Sequence, residues 1–228
     1  MKLFCNVAIW MTALLHSHAA SKTIEDRVAE YGEVVRTRLA PQFHAAGVPY
    51  PPNHVTLIGL KSERRLEVFA AGAEGHFRFI CAYPVLAASG LPGPKLRMGD
   101  KQVPEGLYRV QALNPNSRFH LSLRLDYPND FDRARASAEG RANLGGDIMI
   151  HGAAVSKGCF AMGDPAAEDL FVLAALTGIE NVTVVIAPLD YRTRPVPDPA
   201  MGSPAWLKEL YEQIRRELTR YPRGAASS

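Results

Sequence analysis

Alternation is cleanest at residues 119–125, where Phe119, Leu121, Leu123 and Leu125 are separated by His120, Ser122 and Arg124, with Asp126 following. A period of two predicts a half-buried strand with one polar face. That face reads as a solvated sheet surface, with the wall of a peptide-binding cleft as the alternative. Residues 55–60 form an apolar run. Leu66, Val68 and Ala70 then alternate with Arg65 and Glu67, and a turn at residues 71–75 leads to Phe77, Phe79 and Cys81 in a hairpin-like arrangement. Residues 148–150 and 182–186 are short apolar runs suited to buried strands.

Helical spacing governs the two flanks. Ile24, Val28, Tyr31, Val35 and Leu39 form one stripe, and Pro41 is expected to end it. The proline-rich residues 48–53 predict a linker. Asp164-Pro165 supplies a cap and a first-turn proline for a second helix, which Thr177-Gly178 closes. A third starts at Ser203-Pro204 and carries Leu207, Leu210, Ile214 and Leu218 on one face. Residues 188–204 read as a surface loop, and residues 131–146 as a long loop or a lid. The expected fold class is α+β: a β-rich sandwich or barrel core with peripheral helices. The expected divisions are a signal peptide at 1–20, a helix and linker at 21–52, a catalytic domain at 53–190, and a loop and helix at 191–228.

Composition narrows the function classes. With 47% hydrophobic and 21% charged residues, the 228-residue chain is ordinarily globular. Its 26 Lys and Arg against 23 Asp and Glu leave +3, too mild a balance to indicate nucleic-acid binding. Lys2, the apolar stretch 3–15 and the small residues around His18-Ala19-Ala20 have the form of a cleaved export signal. The expectation is a periplasmic or envelope location with no stable membrane insertion after cleavage. Cys5 would leave with the signal, so Cys81 and Cys159 stay in the mature chain. They could pair in an oxidising compartment, or Cys81 could be a buried apolar residue and Cys159 a working thiol.

Chemistry concentrates at residues 147–162, where a buried strand ends in His151-Gly152 and Ser156-Lys157-Gly158-Cys159 follows, the cysteine eight residues after the histidine. Acyl transfer needs a thiolate, an imidazole to take and return the proton, and main-chain N–H groups for the oxyanion. A nearby imidazolium would depress the thiol pKa and supply the attacking form at neutral pH. Gly158 and Gly152 free the backbone beside each group. Zinc would need three or four ligands, and only His151 and Cys159 are convincing, so neither metal nor cofactor is expected.

This stretch resembles the YkuD-type L,D-transpeptidase signature, a His-Gly followed by Ser-His-Gly-Cys. It is most similar to the YafK-like branch, in which the second histidine is replaced and Cys-aromatic-Ala-Met follows. Residues 93–100, 104–108, 127–129 and 145–147 also resemble that family's core phrases, so the likeness runs over residues 55–189.

The resemblance implies a YkuD-like β-rich domain that acylates its cysteine on a diaminopimelate carbonyl of a peptidoglycan stem peptide. By position, Cys159 is the nucleophile and His151 the general acid/base. Gly158 and Cys159 supply oxyanion donors through their main-chain N–H groups, and Ser156 orders the loop. Gly152, Lys157 and Tyr127 are the candidates for substrate contact. Lys157 stands where most of the family has histidine, and its ammonium is expected to face solvent.

The expected activity is L,D-transpeptidation through a thioester. The alternative in the same site is an amidase that cuts a diaminopimelate–lipoprotein link, which adds a wall-linked lipoprotein as a partner. A non-catalytic wall-binding protein is the alternative of another class. His44, His54 and His76 have no matching partner, and Asp164 is expected only to cap its helix.

Overall fold

The computed structural model describes residues 21–222, so the proposed signal peptide and Cys5 lie outside the described residues. The first helix, α1 (Ile24–Ala46), opens with a reciprocal Thr23–Asp26 capping box and closes on left-handed Gly47. It does not end at Pro41. Val35, Leu39 and Phe43 are all buried, so the apolar stripe continues beyond the proline. A proline inside a helix costs about 3 kcal/mol. Full burial of Phe43 one turn from the end offsets about 1.5–3 kcal/mol of that.

Three strands follow: β1 (His54–Leu60), β2 (Arg65–Ala71) and β3 (Arg78–Pro84). After these come the two-residue β4 (Ala87–Ala88), the long β5 (Gly106–Ser117) and β6 (His120–Leu125). Asn129 and Asp132 then form a capping box that starts α2 (Asp130–Ala138). The loop expectation for 131–146 is thereby corrected over residues 131–138, while 139–146 has no helix or strand. Only Ala136 of this helix is buried, so no apolar stripe announced it. The chain continues through β7 (Met149–His151), β8 (Phe160–Ala161), α3 (Asp164–Thr177), β9 (Val182–Ala187) and α4 (Leu207–Leu218).

The nine strands of the described residues join one sheet in the order β3-β2-β1-β9-β5-β6-β7-β8-β4. β5 holds its two halves together. Residues 106–109 pair with β9, and from Val110 onward the strand pairs with β6 across two register shifts. An α+β architecture with a β-rich core is therefore what the chain adopts.

β1 and β2 are buried on both faces, which explains their continuous apolar runs. One face of the sheet contributes Val55, Leu57, Leu66, Val68 and Ile186 to a core shared with α1 and α3. The other face contributes Ile58, Leu60, Phe69 and Val185, covered by Leu207, Leu210, Ile214 and Leu218 of α4. The two short parallel strands β7 and β8 carry the candidate chemistry on the far half of the sheet.

Candidate active site

His151 is the last residue of β7, and Cys159 immediately precedes β8. The two strands pair in parallel with Ile150 opposite Phe160 and His151 opposite Ala161. Carried back along the chain, that register sets Cys159 beside Met149. In-register residues of neighbouring parallel strands share a face and i, i+2 residues share it again, so a continuation of this register past the end of β8 would put Cys159 on the His151 face. That continuation would leave one diagonal step between them, about 8 Å between Cα atoms from strand spacing and rise. Cys159 is a free thiol, half-buried, and Cys81 is a separate free thiol buried in β3. Burial pushes the Cys81 thiol up to about 12, so it behaves as a small apolar side chain.

The imidazole is held from two sides. Its Nδ1 lies 2.6 Å from the Gly152 carbonyl oxygen. A carbonyl can only accept, so Nδ1 carries the hydrogen and Nε2 of the neutral ring is left as the proton acceptor. Phe119 stacks on the ring at 4.7 Å between centroids and 26°. Gly152 has no room for a side chain: a Cβ there would stand 2.5 Å from Asp164 Oδ1 and 2.7 Å from the Phe119 carbonyl oxygen. Asp164 is not the side-chain cap expected of it. No side-chain bond caps α3, and Asp164 Oδ1 instead accepts the Ala153 N–H at 2.8 Å, tying the loop after His151 to that helix.

The cysteine loop is closed by two serines. Ser156 Oγ accepts the Cys159 N–H at 3.0 Å and donates to the Cys159 carbonyl at 2.6 Å. Ser89 Oγ accepts the Gly158 N–H at 2.6 Å. Both amides named as oxyanion donors are therefore bonded to hydroxyls in this conformation. Gly158 has φ +102°, which an L side chain rarely adopts, so the tight approach to Cys159 depends on glycine there. The thiol is 3.7 Å from the Asp147 carbonyl oxygen, to which it donates. Lys157 is exposed, with no ion pair among the described residues. Tyr127 is buried, its hydroxyl donating to the Lys95 and Leu144 carbonyls, so it belongs to the core behind the site.

Electrostatics depart from the expected thiolate. Burial raises the Cys159 thiol pKa and the Asp147 charge adds to this, against a main-chain bond from Met149 and the Lys95 ammonium. Burial lowers the His151 pKa, partly opposed by the Gly152 bond. Each shift disfavours the charged form, so the resting pair is a neutral thiol and a neutral imidazole. Of the polar residues on β6, Ser122 is fully buried and bonds the Met149 sulfur, while His120 Nε2 meets Glu168 at 3.0 Å. The strand is therefore less solvated than a free sheet face: Ser122 is paired in register with His151, His120 is tied to Glu168 of α3, and only Arg124 of the polar set is exposed. Sequence spacing gave no hint of Ser89, Phe119 or the Asp164 tether. All three meet the site through the fold and carry no motif of their own.

A curled mixed sheet with an imidazole at the end of one strand and a free thiol just before its parallel neighbour defines a domain class. Residues 54–186 match the L,D-transpeptidase catalytic domain, YkuD, and the chain belongs to that family. It is 38% identical over 133 residues to YafK of Escherichia coli K12, whose description as an L,D-transpeptidase is itself provisional. The match covers 56% of this chain and 51% of that protein, so the chain spans about half the length of the curated relatives it matches. Among solved structures, the helical cell shape determining protein Pgp2 of Campylobacter jejuni is similar at 23% identity and a TM-score of 0.47, over 59% of this chain and 48% of that one. Bd1075 of Bdellovibrio bacteriovorus is similar at 20% identity and a TM-score of 0.43, over 75% and 56%.

Proposed function

We propose that this chain is a cysteine-dependent acyl-transfer enzyme of the cell envelope acting on peptidoglycan stem peptides, with Cys159 as nucleophile and His151 as general base and acid. The observation that carries this reading is the parallel pairing of β7 with β8, which brings the strand end that holds His151 alongside the strand that follows Cys159, with Nδ1 of His151 committed to Gly152. His151 Nε2 takes the thiol proton as sulfur attacks the diaminopimelate carbonyl. The carbonyl π pair moves onto oxygen, where the Gly158 and Cys159 N–H groups receive it once their serine partners release them. Collapse of the tetrahedral adduct re-forms the carbonyl and expels the amine, which receives the proton from His151. A thioester on Cys159 is left. An acceptor amine then gives a new amide, the L,D-transpeptidase outcome.

A rotation of the Cys159 side chain from the Asp147 carbonyl toward the imidazole precedes the proton transfer. The test is intact-mass detection of an adduct on Cys159 with a carbapenem or a muropeptide donor, followed by product analysis on defined muropeptides. A cross-linked product supports the reading, and simple cleavage of a diaminopimelate amide reassigns the acceptor to water. Absence of any adduct on Cys159 defeats the enzyme reading altogether.

A further inference from the structure

A cavity of about 600 Å³ lies beside the cysteine loop, bounded by Pro94, Leu96, Arg97, Asp100, Gln102 and Arg141. Gln102 is the shared wall: its carbonyl oxygen stands 3.4 Å from where a Gly158 Cβ would be, one residue from Cys159. The wall is built rather than loose. Buried Glu105 accepts the Gly93 N–H at 2.7 Å, Lys61 at 2.8 Å and the Tyr211 hydroxyl at 2.8 Å, pinning both ends of the segment. The Gln102 side chain is clamped to the Leu91 and Gly93 carbonyls.

Charge in this cavity does not cancel. Asp100 is fully engaged: Oδ1 accepts from Lys95 Nζ at 2.5 Å and from the Gln102 N–H, and Oδ2 accepts from the Leu96 and Arg97 N–H groups. Arg141 is bonded to Glu139 at 2.6 Å and to the Leu96 carbonyl. The Arg97 guanidinium is exposed at the rim and has no hydrogen-bond or ionic partner among the described residues. A single uncompensated fork of N–H donors over a preformed hollow matches a carboxylate in charge and geometry.

We propose that this cavity binds a free carboxylate of the peptide that is acylated at Cys159, with Arg97 as its partner; this rests on the acyl-transfer reading above. Calorimetry on the Cys159→Ser protein reads it without turnover, so a failure of the chemistry and a failure of the cavity stay distinguishable. The probes are a diaminopimelate tetrapeptide with all carboxylates free, the same peptide amidated at its C-terminus, and the peptide amidated on the diaminopimelate side-chain carboxyl. Adding Arg97→Gln weakens binding of the free acid about tenfold, and Arg97→Lys recovers part of the loss. The amide that lacks the recognised carboxylate binds weakly to begin with and loses nothing more on Arg97→Gln, which identifies the carboxylate. An Arg97→Gln protein that binds the free acid unchanged overturns the proposal. So does an equal Arg97→Gln loss for both amides and the acid, or no binding of the free acid at millimolar concentration.

Discussion

The Ser89 hydroxyl lies 2.6 Å from the Gly158 nitrogen and accepts its hydrogen, occupying the direction an oxyanion would need. Ser89 sits just beyond β4, which pairs with β8, so the contact is fixed by the edge of the sheet rather than by the cysteine loop itself. A substrate oxygen must displace that hydroxyl, at the cost of a neutral hydrogen bond worth about 1 kcal/mol net. Ser89→Ala is therefore expected to raise the second-order rate of Cys159 acylation by up to about fivefold. Stopped-flow acylation by a carbapenem measures it. A tenfold fall instead would make Ser89 a support of the loop.

Ser156 has the opposite standing, because it bonds both the N–H and the carbonyl of Cys159. Removing it frees the segment whose position defines the thiol. Ser156→Ala should cost about 1 kcal/mol of stability and slow acylation at least tenfold, through lost orientation. Thermal unfolding and acylation kinetics on the same preparation separate the two effects. Unchanged kinetics would remove Ser156 from the site.

Much of this arrangement was legible in the sequence. The runs at 55–60 and 182–186 became the central strands, and the strand end at His151, the short loop and the return strand after Cys159 are where the motif spacing expected them. What was not legible depends on contacts distant in sequence. Pro41 was read as a stop because local rules penalise it, whereas Phe43 is held in a core that only α3 and the sheet provide. α2 escaped notice because its face is exposed, although Asn129 and Asp132 already had capping-box spacing. Asp164 looked like a cap because the sequence shows its helix and hides the loop that it ties down. The burial that favours the neutral form of Cys159 is likewise invisible in a motif, which shows only that His151 is close in sequence.

Burial sets the pH behaviour. The His151 pKa is lowered, so the neutral base survives to more acidic conditions than a free imidazole would. The acid limb of kcat/KM for acylation should therefore bend below about 6.5. The Cys159 pKa is raised, so its alkylation by iodoacetamide should still be climbing at about pH 9, the region of an ordinary thiol or above. A thiolate–imidazolium pair would instead plateau below neutrality. Mass-spectrometric alkylation rates across pH distinguish the two, and a neutral plateau would sink the neutral-pair description.

Asp132 provides a test of stability away from the site. Its carboxyl pKa is raised to about 6, chiefly by burial, while the Asn129 N–H and the Tyr108 hydroxyl partly stabilise the anion. A folded pKa above the unfolded value of 3.8 means that folding takes up a proton between the two. The resulting stabilisation is complete below about 3.8 and is lost as pH rises through about 6. Asp132→Asn keeps an acceptor for the capping box and removes the titration. Between pH 5 and 7.5, urea unfolding should show a fall in stability for the parent chain on the order of 1 kcal/mol, scaled by 1.36 kcal/mol per pH unit. The variant should lack that component, and identical slopes in both proteins would show that Asp132 is ionised in the fold as it is in water.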